Sequence, residues 1–139
     1  KKVIMAGIIG MGLCMLSMFF IPKDTLTYIL VPKLPVIGTI PVIGAVVMLA
    51  GLSWGLININ SLPMVVDMTD NEHLGTYTGL YYLASTLAAI LGPNLNGWII
   101  QLSGDNYSVT MLAAPIFMVG AFIMMMGVKR GESKEKPVS

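Results

Sequence analysis

The chain has 139 residues, of which 55% are hydrophobic and 11% charged, with a formal net charge of +1. Mean hydropathy of +0.81 lies outside the range of ordinary soluble domains and marks an integral membrane protein. The near-neutral charge gives no field that would gather nucleic acid. A single cysteine, Cys14, rules out an internal disulfide, and with only one histidine, His73, the sequence predicts no structural metal.

Four segments reach the roughly 20 apolar residues that a helix needs to cross a bilayer: Val3 to Ile21, Val36 to Val66, Leu74 to Leu102 and Val109 to Val128. They predict an all-α membrane domain over residues 1–130, followed by a charged, disordered cytoplasmic tail over 131–139. The first span follows Lys1 and Lys2 as the apolar stretch of a signal peptide would. It lacks a start methionine and a small-residue cleavage site, so it reads as a spanning helix. Gly7, Gly10, Cys14 and Ser17 give it a small-residue stripe where another helix can approach closely. Cys14 and Ser17 are its polar side chains and Thr110 is that of the fourth span, so these two helices read as lipid-facing or peripheral. Pro22, Pro32 and Pro35, with Lys23, Asp24 and Lys33, place a loop between the first two spans.

The second span differs. Gly51, Trp54, Gly55, Asn58 and Ser61 recur at three- and four-residue steps and share one polar, small-residue face. Gly51 and Gly55 form a GxxxG pair that admits a neighbouring helix, leaving Trp54 and Asn58 to project toward whatever lies beside it. Pro63 cannot donate its backbone hydrogen bond, so Asn60-Ser61-Leu62-Pro63 is expected to kink the helix. The third span repeats the pattern with Tyr77, Tyr81, Ser85, Ala89, Gly92 and Asn96, and Gly92-Pro93-Asn94 is an expected second break. Tyr77, Trp98 and Tyr107 suit the aromatic belt, while Tyr81 and Asn94 lie deeper. Polar side chains are costly in hydrocarbon, and two roles fit them, as glue between helices or as contacts for a solute.

Lysine and arginine gather at both ends, Lys1 and Lys2 against Lys129, Arg130, Lys134 and Lys136. With an even number of spans both termini then face the cytoplasm. The loop carrying Asp67, Asp70 and Glu72 lies on that side, and Gly104-Asp105-Asn106 forms a tight turn on the other. No ionisable residue sits in the middle of any span, where a proton- or sodium-coupling group is expected. Any coupling ion therefore binds outside this chain. No nucleophile, base and orienting group cluster in any span, which argues against a membrane enzyme.

The stretch SWGLININSLPMVVDMTDNEHLGTYTGLYYLASTLAAILGPNLNGWII resembles the last part of major facilitator superfamily transporters. More narrowly, it is similar to sugar:cation symporters of the glycoside-pentoside-hexuronide type and their sucrose-transporter-like relatives. The similarity centres on Asn58-x-Asn60-Ser61-x-Pro63 through Asp67 to Gly75-x-Tyr77-x-Gly79. The resemblance implies the C-terminal fragment of a twelve-helix bundle, helices nine to twelve, in a plasma or bacterial inner membrane, with the preceding helices missing. It implies that Trp54, Asn58 and Tyr81 face a substrate path, to which Ser61 and Asn94 are added as polar neighbours, and that Asp67 belongs to a cytoplasmic gate beside Asp70 and Glu72. Pro63, Gly92 and Pro93 would be helix hinges. The expected function is cation-coupled alternating access for a small neutral polar solute, a sugar or glycoside, whose ring packs on an indole and whose hydroxyls pair with an amide. The competing reading is a four-helix membrane scaffold or assembly subunit whose polar residues serve packing alone.

Overall fold

The structure is a computed structural model and describes residues 1–34 and 38–129; the tail expected over 131–139 lies outside the described residues. It contains α1 (Lys2–Phe20), α2 (Lys23–Thr27), β1 (Ile29–Leu34), β2 (Gly38–Pro41), α3 (Val42–Asp67), α4 (Leu74–Leu102) and α5 (Ser108–Gly127). Four of these helices, α1, α3, α4 and α5, are long and apolar enough to cross a membrane.

The loop between the first two spans is structured. Strands β1 and β2 pair antiparallel, with Ile29 opposite Pro41 and Leu34 opposite Gly38, and Gly38 takes a positive φ of 79° that glycine accepts without strain. The Val42 amide then donates to the Tyr28 carbonyl at 3.0 Å, which ties the start of α3 to the base of the hairpin. The second span was expected from Val36, but α3 begins at Val42. Pro41 sets that boundary: it has no amide hydrogen and sits as the N-cap with extended backbone, φ −75° and ψ 164°. The 26 residues of α3 still span about 39 Å at ~1.5 Å each.

Helix α1 packs on α3 along one side and on α5 along another, whereas α4 touches α3 and α5 more sparingly. Ile4, Gly7, Ile8, Gly12 and Cys14 of α1 are buried, while Val3, Ile9, Leu13 and Phe20 on its other side stay exposed, and α4 has no buried residue among the described residues. The reason is the glycine stripe. A Cβ on Gly7 would lie 2.7 Å from the Ser53 carbonyl oxygen and 2.8 Å from Ile57 Cγ1, and one on Gly10 would collide with the Ser53 hydroxyl. Backbone approach this close generates the dispersion contact that holds helices together in lipid, where apolar burial supplies no driving force. Ile4, Ile8 and Met64 form a small core beside this contact, flanked by Ile57, Met118 and Phe122.

Among the described residues, the GxxxG pair expected to admit a neighbouring helix meets none. Nothing lies within 4 Å of a Cβ placed on Gly51 or Gly55. At about 100° per residue these glycines point roughly 160° away from Ser53, so seating α1 on Ser53 turns them outward.

Both chain ends of this bundle meet. The Lys1 ammonium donates to the carbonyls of Met126 (3.0 Å) and Val128 (2.6 Å), placing a cation at the C-terminus of α5 where the helix dipole is negative. At the other side, α4 ends in a Schellman turn: the Asp105 amide reaches the Ile100 carbonyl at 3.0 Å and the Gly104 amide reaches Gln101 at 3.2 Å, with φ positive at both residues. Substituting Gly7→Leu is expected to lower the thermal midpoint in detergent, by about 1–3 kcal/mol of overpacking, while Gly51→Ala leaves it unchanged or higher. A Gly7→Leu chain as stable as the parent would mean that α1 does not seat on Ser53.

Candidate functional site

The candidate solute-facing residues lie on the side of α3 turned away from α1. Because Ser53 and Ile57 face α1, their neighbours Trp54 and Asn58 rotate off that contact; Trp54 is 56% exposed and Asn58 is exposed. They stand one turn apart on one face. Beside them runs an open trough of about 630 Å³ along Gly51, Gly55, Ile59 and Asn60, where the missing glycine side chains leave the α3 backbone bare.

Other polar side chains in this helix are turned to their own backbone. The Asn60 amide donates to the Leu56 carbonyl at 2.8 Å, Ser53 donates to Leu49 at 2.9 Å, and half-buried Ser61 donates to Ile57. Such back-bonding removes the cost of a polar group in hydrocarbon. Pro63, expected as a hinge, lies within a continuous helical segment: α3 runs through it to Asp67. Proline deletes a single backbone hydrogen bond, and with no water to replace the rest, the helix persists.

The same holds on α4, which runs unbroken through Gly92 and Pro93. Asn94 is exposed and donates to the Ile90 carbonyl at 2.6 Å, spanning the proline from the next position. Tyr81 is half-buried and meets Tyr82 edge-on, with ring centroids 5.5 Å apart. Counting along the axes from the connecting loop, Asn58 lies about 13 Å and Tyr81 about 10 Å deep, so the two share a level. Asn94 sits about 20 Å further along α4, near the opposite end, and does not join them.

Asp67 ends α3, and Asp70 and Glu72 lie in the α3–α4 loop; all three are exposed. One Asp70 carboxylate oxygen accepts both the His73 backbone amide (3.1 Å) and the His73 ring Nδ1 (2.7 Å). A carboxylate only accepts, so Nδ1 carries the hydrogen. Asp70 thereby fixes His73, the residue that precedes the first turn of α4, and places a negative charge near the positive end of that helix. The signal for this contact in the sequence is the spacing of three between Asp70 and His73.

A second feature has no such signal in the sequence. Between α4 and α5 opens a cleft of about 620 Å³ whose walls are apolar except for Asn96 and Thr110. Gly92 and the pair Ala113 and Ala114 keep it open by size. The sequence places Asn96 on a small-residue stripe, and its proximity to Thr110 depends on how α5 folds back.

Comparison with known proteins follows the same lines. The family model for the Major Facilitator Superfamily matches residues 1–139. Monocarboxylate transporter 14 of Mus musculus is 27% identical over 93 residues, which are 66% of this chain and 18% of that protein. The chain thus matches less than a fifth of the length of that curated relative. No solved structure gives a significant match. Asp70→Ala is expected to loosen the start of α4 by about 1 kcal/mol, the worth of a lost hydrogen bond, seen as faster amide hydrogen exchange at His73 to Tyr77 with the end of α4 unaffected. Unchanged exchange there would remove Asp70 from this role.

Proposed function

Because the chain belongs to the major facilitator superfamily, we propose that it is part of a secondary transporter in which the Trp54 and Asn58 face of α3 lines the solute path. The observation that carries this reading is the orientation of that face. Its indole and amide turn away from the α1 contact, while Asn60, Ser61 and Asn94 are paired with their own helices. Tyr81, at the depth of Asn58, joins from α4. Alternating access then moves this group of helices against the remainder of the transporter around a site near the midplane. Asp67 at the end of α3, with Asp70 and Glu72 on the α3–α4 loop, serves the gate on that side, and Ser61 and Asn94 act as backbone-satisfying residues beside the prolines.

A small neutral polar solute of the sugar type suits the proposed face. An indole packs on a sugar ring, and an amide both donates to and accepts from hydroxyls. A second reading, a monocarboxylate, draws on the similarity to monocarboxylate transporter 14. A carboxylate taken from water calls for a cation or a charge-assisted donor, and the spans offer no Lys, Arg or His away from their ends. A monocarboxylate would then pair with a residue outside this chain, as would the coupling proton or sodium ion. Uptake of a labelled sugar and of labelled lactate into vesicles carrying the complete transporter distinguishes the two. Asn58→Leu and Trp54→Ala are expected to lower sugar uptake about tenfold or more, the effect of losing ~1.4 kcal/mol of contact, in protein that stays folded in the membrane. Loss of folding in both variants, with no separable effect on uptake, would favour the scaffold reading.

A further inference from the structure

We infer that the cleft between α4 and α5 binds one membrane phospholipid, its acyl chain along the apolar length and its glycerol ester at Asn96 and Thr110. The inference rests on the polarity of the cleft and its depth in the bilayer, and it is independent of which solute is carried. The walls from Ala88 and Leu91 on α4 to Phe117 and Met118 on α5 are apolar. Asn96 and Thr110 are the two polar residues of the lining, and both lie toward the Gly104 turn that joins the helices.

Their level is set by helix length. The 29 residues of α4 span about 43 Å at ~1.5 Å each, against about 30 Å of hydrocarbon. Centred on the membrane, α4 overhangs by roughly 7 Å at each end, and Asn96, about 9 Å from its C-terminus, falls just inside the hydrocarbon boundary. Helix α5 has 20 residues, spans about 30 Å, and holds Thr110 about 3 Å from its start, at the same boundary. Donors at that depth meet the ester carbonyls of a phospholipid, which accept hydrogen bonds and cannot donate them. Deeper in, the wall is too apolar to hold water. A slot that is polar at the boundary and dry toward the midplane matches the polarity of one lipid molecule along its length.

A backbone helix is a poorer match. An apolar helix would offer Asn96 and Thr110 only the second lone pairs of carbonyls already engaged in its own ladder, whereas the ester carbonyls of a lipid are free. Gly92, Ala113 and Ala114 leave room for a chain of methylene width without requiring movement of α4, which is the least tightly held of the spanning helices.

The test uses the complete transporter in vesicles of phosphatidylcholine doped with a phosphatidylcholine that carries a diazirine midway along one acyl chain. After irradiation, peptide mapping is expected to find Leu91, Phe117 and Met118 labelled several-fold above Leu13 and Ile123, which are exposed on other faces. The double substitution Asn96→Leu with Thr110→Val is expected to reduce cleft labelling about tenfold, as loss of two hydrogen bonds implies, with Leu13 and Ile123 labelled as before. Ala113→Phe, which fills the slot and leaves both polar residues in place, lowers it likewise. Labelling of the cleft no stronger than at Leu13 and Ile123 would reduce the lipid to the ordinary annulus and overturn the proposal. An unlabelled cleft would overturn it too and assign the space to another helix of the transporter. If either variant fails to insert, the labelling ratio in the unsubstituted protein decides alone.

Discussion

The contact on which the rest of this structure depends is the seating of α1 on α3, where Gly7 and Gly10 admit the Ser53 backbone and hydroxyl. In lipid, apolar side chains gain nothing from leaving the solvent, so helices associate where backbones can come close enough for dense van der Waals contact. That contact fixes the rotation of α3 about its axis. Ser53 and Ile57 face inward, and Gly51, Trp54, Gly55 and Asn58 are directed elsewhere as a matter of helical geometry. The small core of Ile4, Ile8 and Met64 and the clasp of Lys1 on the end of α5 then hold three helices as one packed group.

A second constraint is that every polar group in the hydrocarbon needs a partner. Ser17, Ser53, Asn60, Ser61, Asn94 and Ser103 find it in the carbonyl three or four residues earlier on their own helix. A polar residue within a span is therefore no evidence of a site by itself. Position separates the remainder: Trp54 and Asn58 occupy the outward face of α3, and Asn96 and Thr110 line the slot between α4 and α5. The first pair suits the proposed solute path of a major facilitator superfamily protein, and the second suits the lipid that surrounds it.

Helix α4 completes the picture by its looseness. It is anchored at one end by the contact of Asp70 with His73 and at the other by the Schellman turn, and it touches α3 and α5 lightly between them. Within this chain α4 is the spanning element with the fewest neighbours among the described residues.

The sequence by itself determined the membrane class, the four spans, the small-residue stripe of α1 and the family resemblance, because hydropathy, length and spacing are properties of single segments. It also placed the turn at Gly104, whose left-handed conformation a Gly-Asp-Asn run favours. Which glycines pack within this chain was decided by tertiary structure: among the described residues Gly7 and Gly10 meet α3, while Gly51 and Gly55 meet nothing, since a stripe shows where approach is possible and not which partner arrives. The same limit explains why the side of α1 that packs on α3 could not be assigned a partner from its polarity. At Pro63 and Pro93 the helical segments continue, because in hydrocarbon the cost of opening a helix exceeds the loss of one hydrogen bond. The pairing of Asn96 with Thr110 required the fold outright, as it joins two helices through a turn whose geometry alone sets them at one depth.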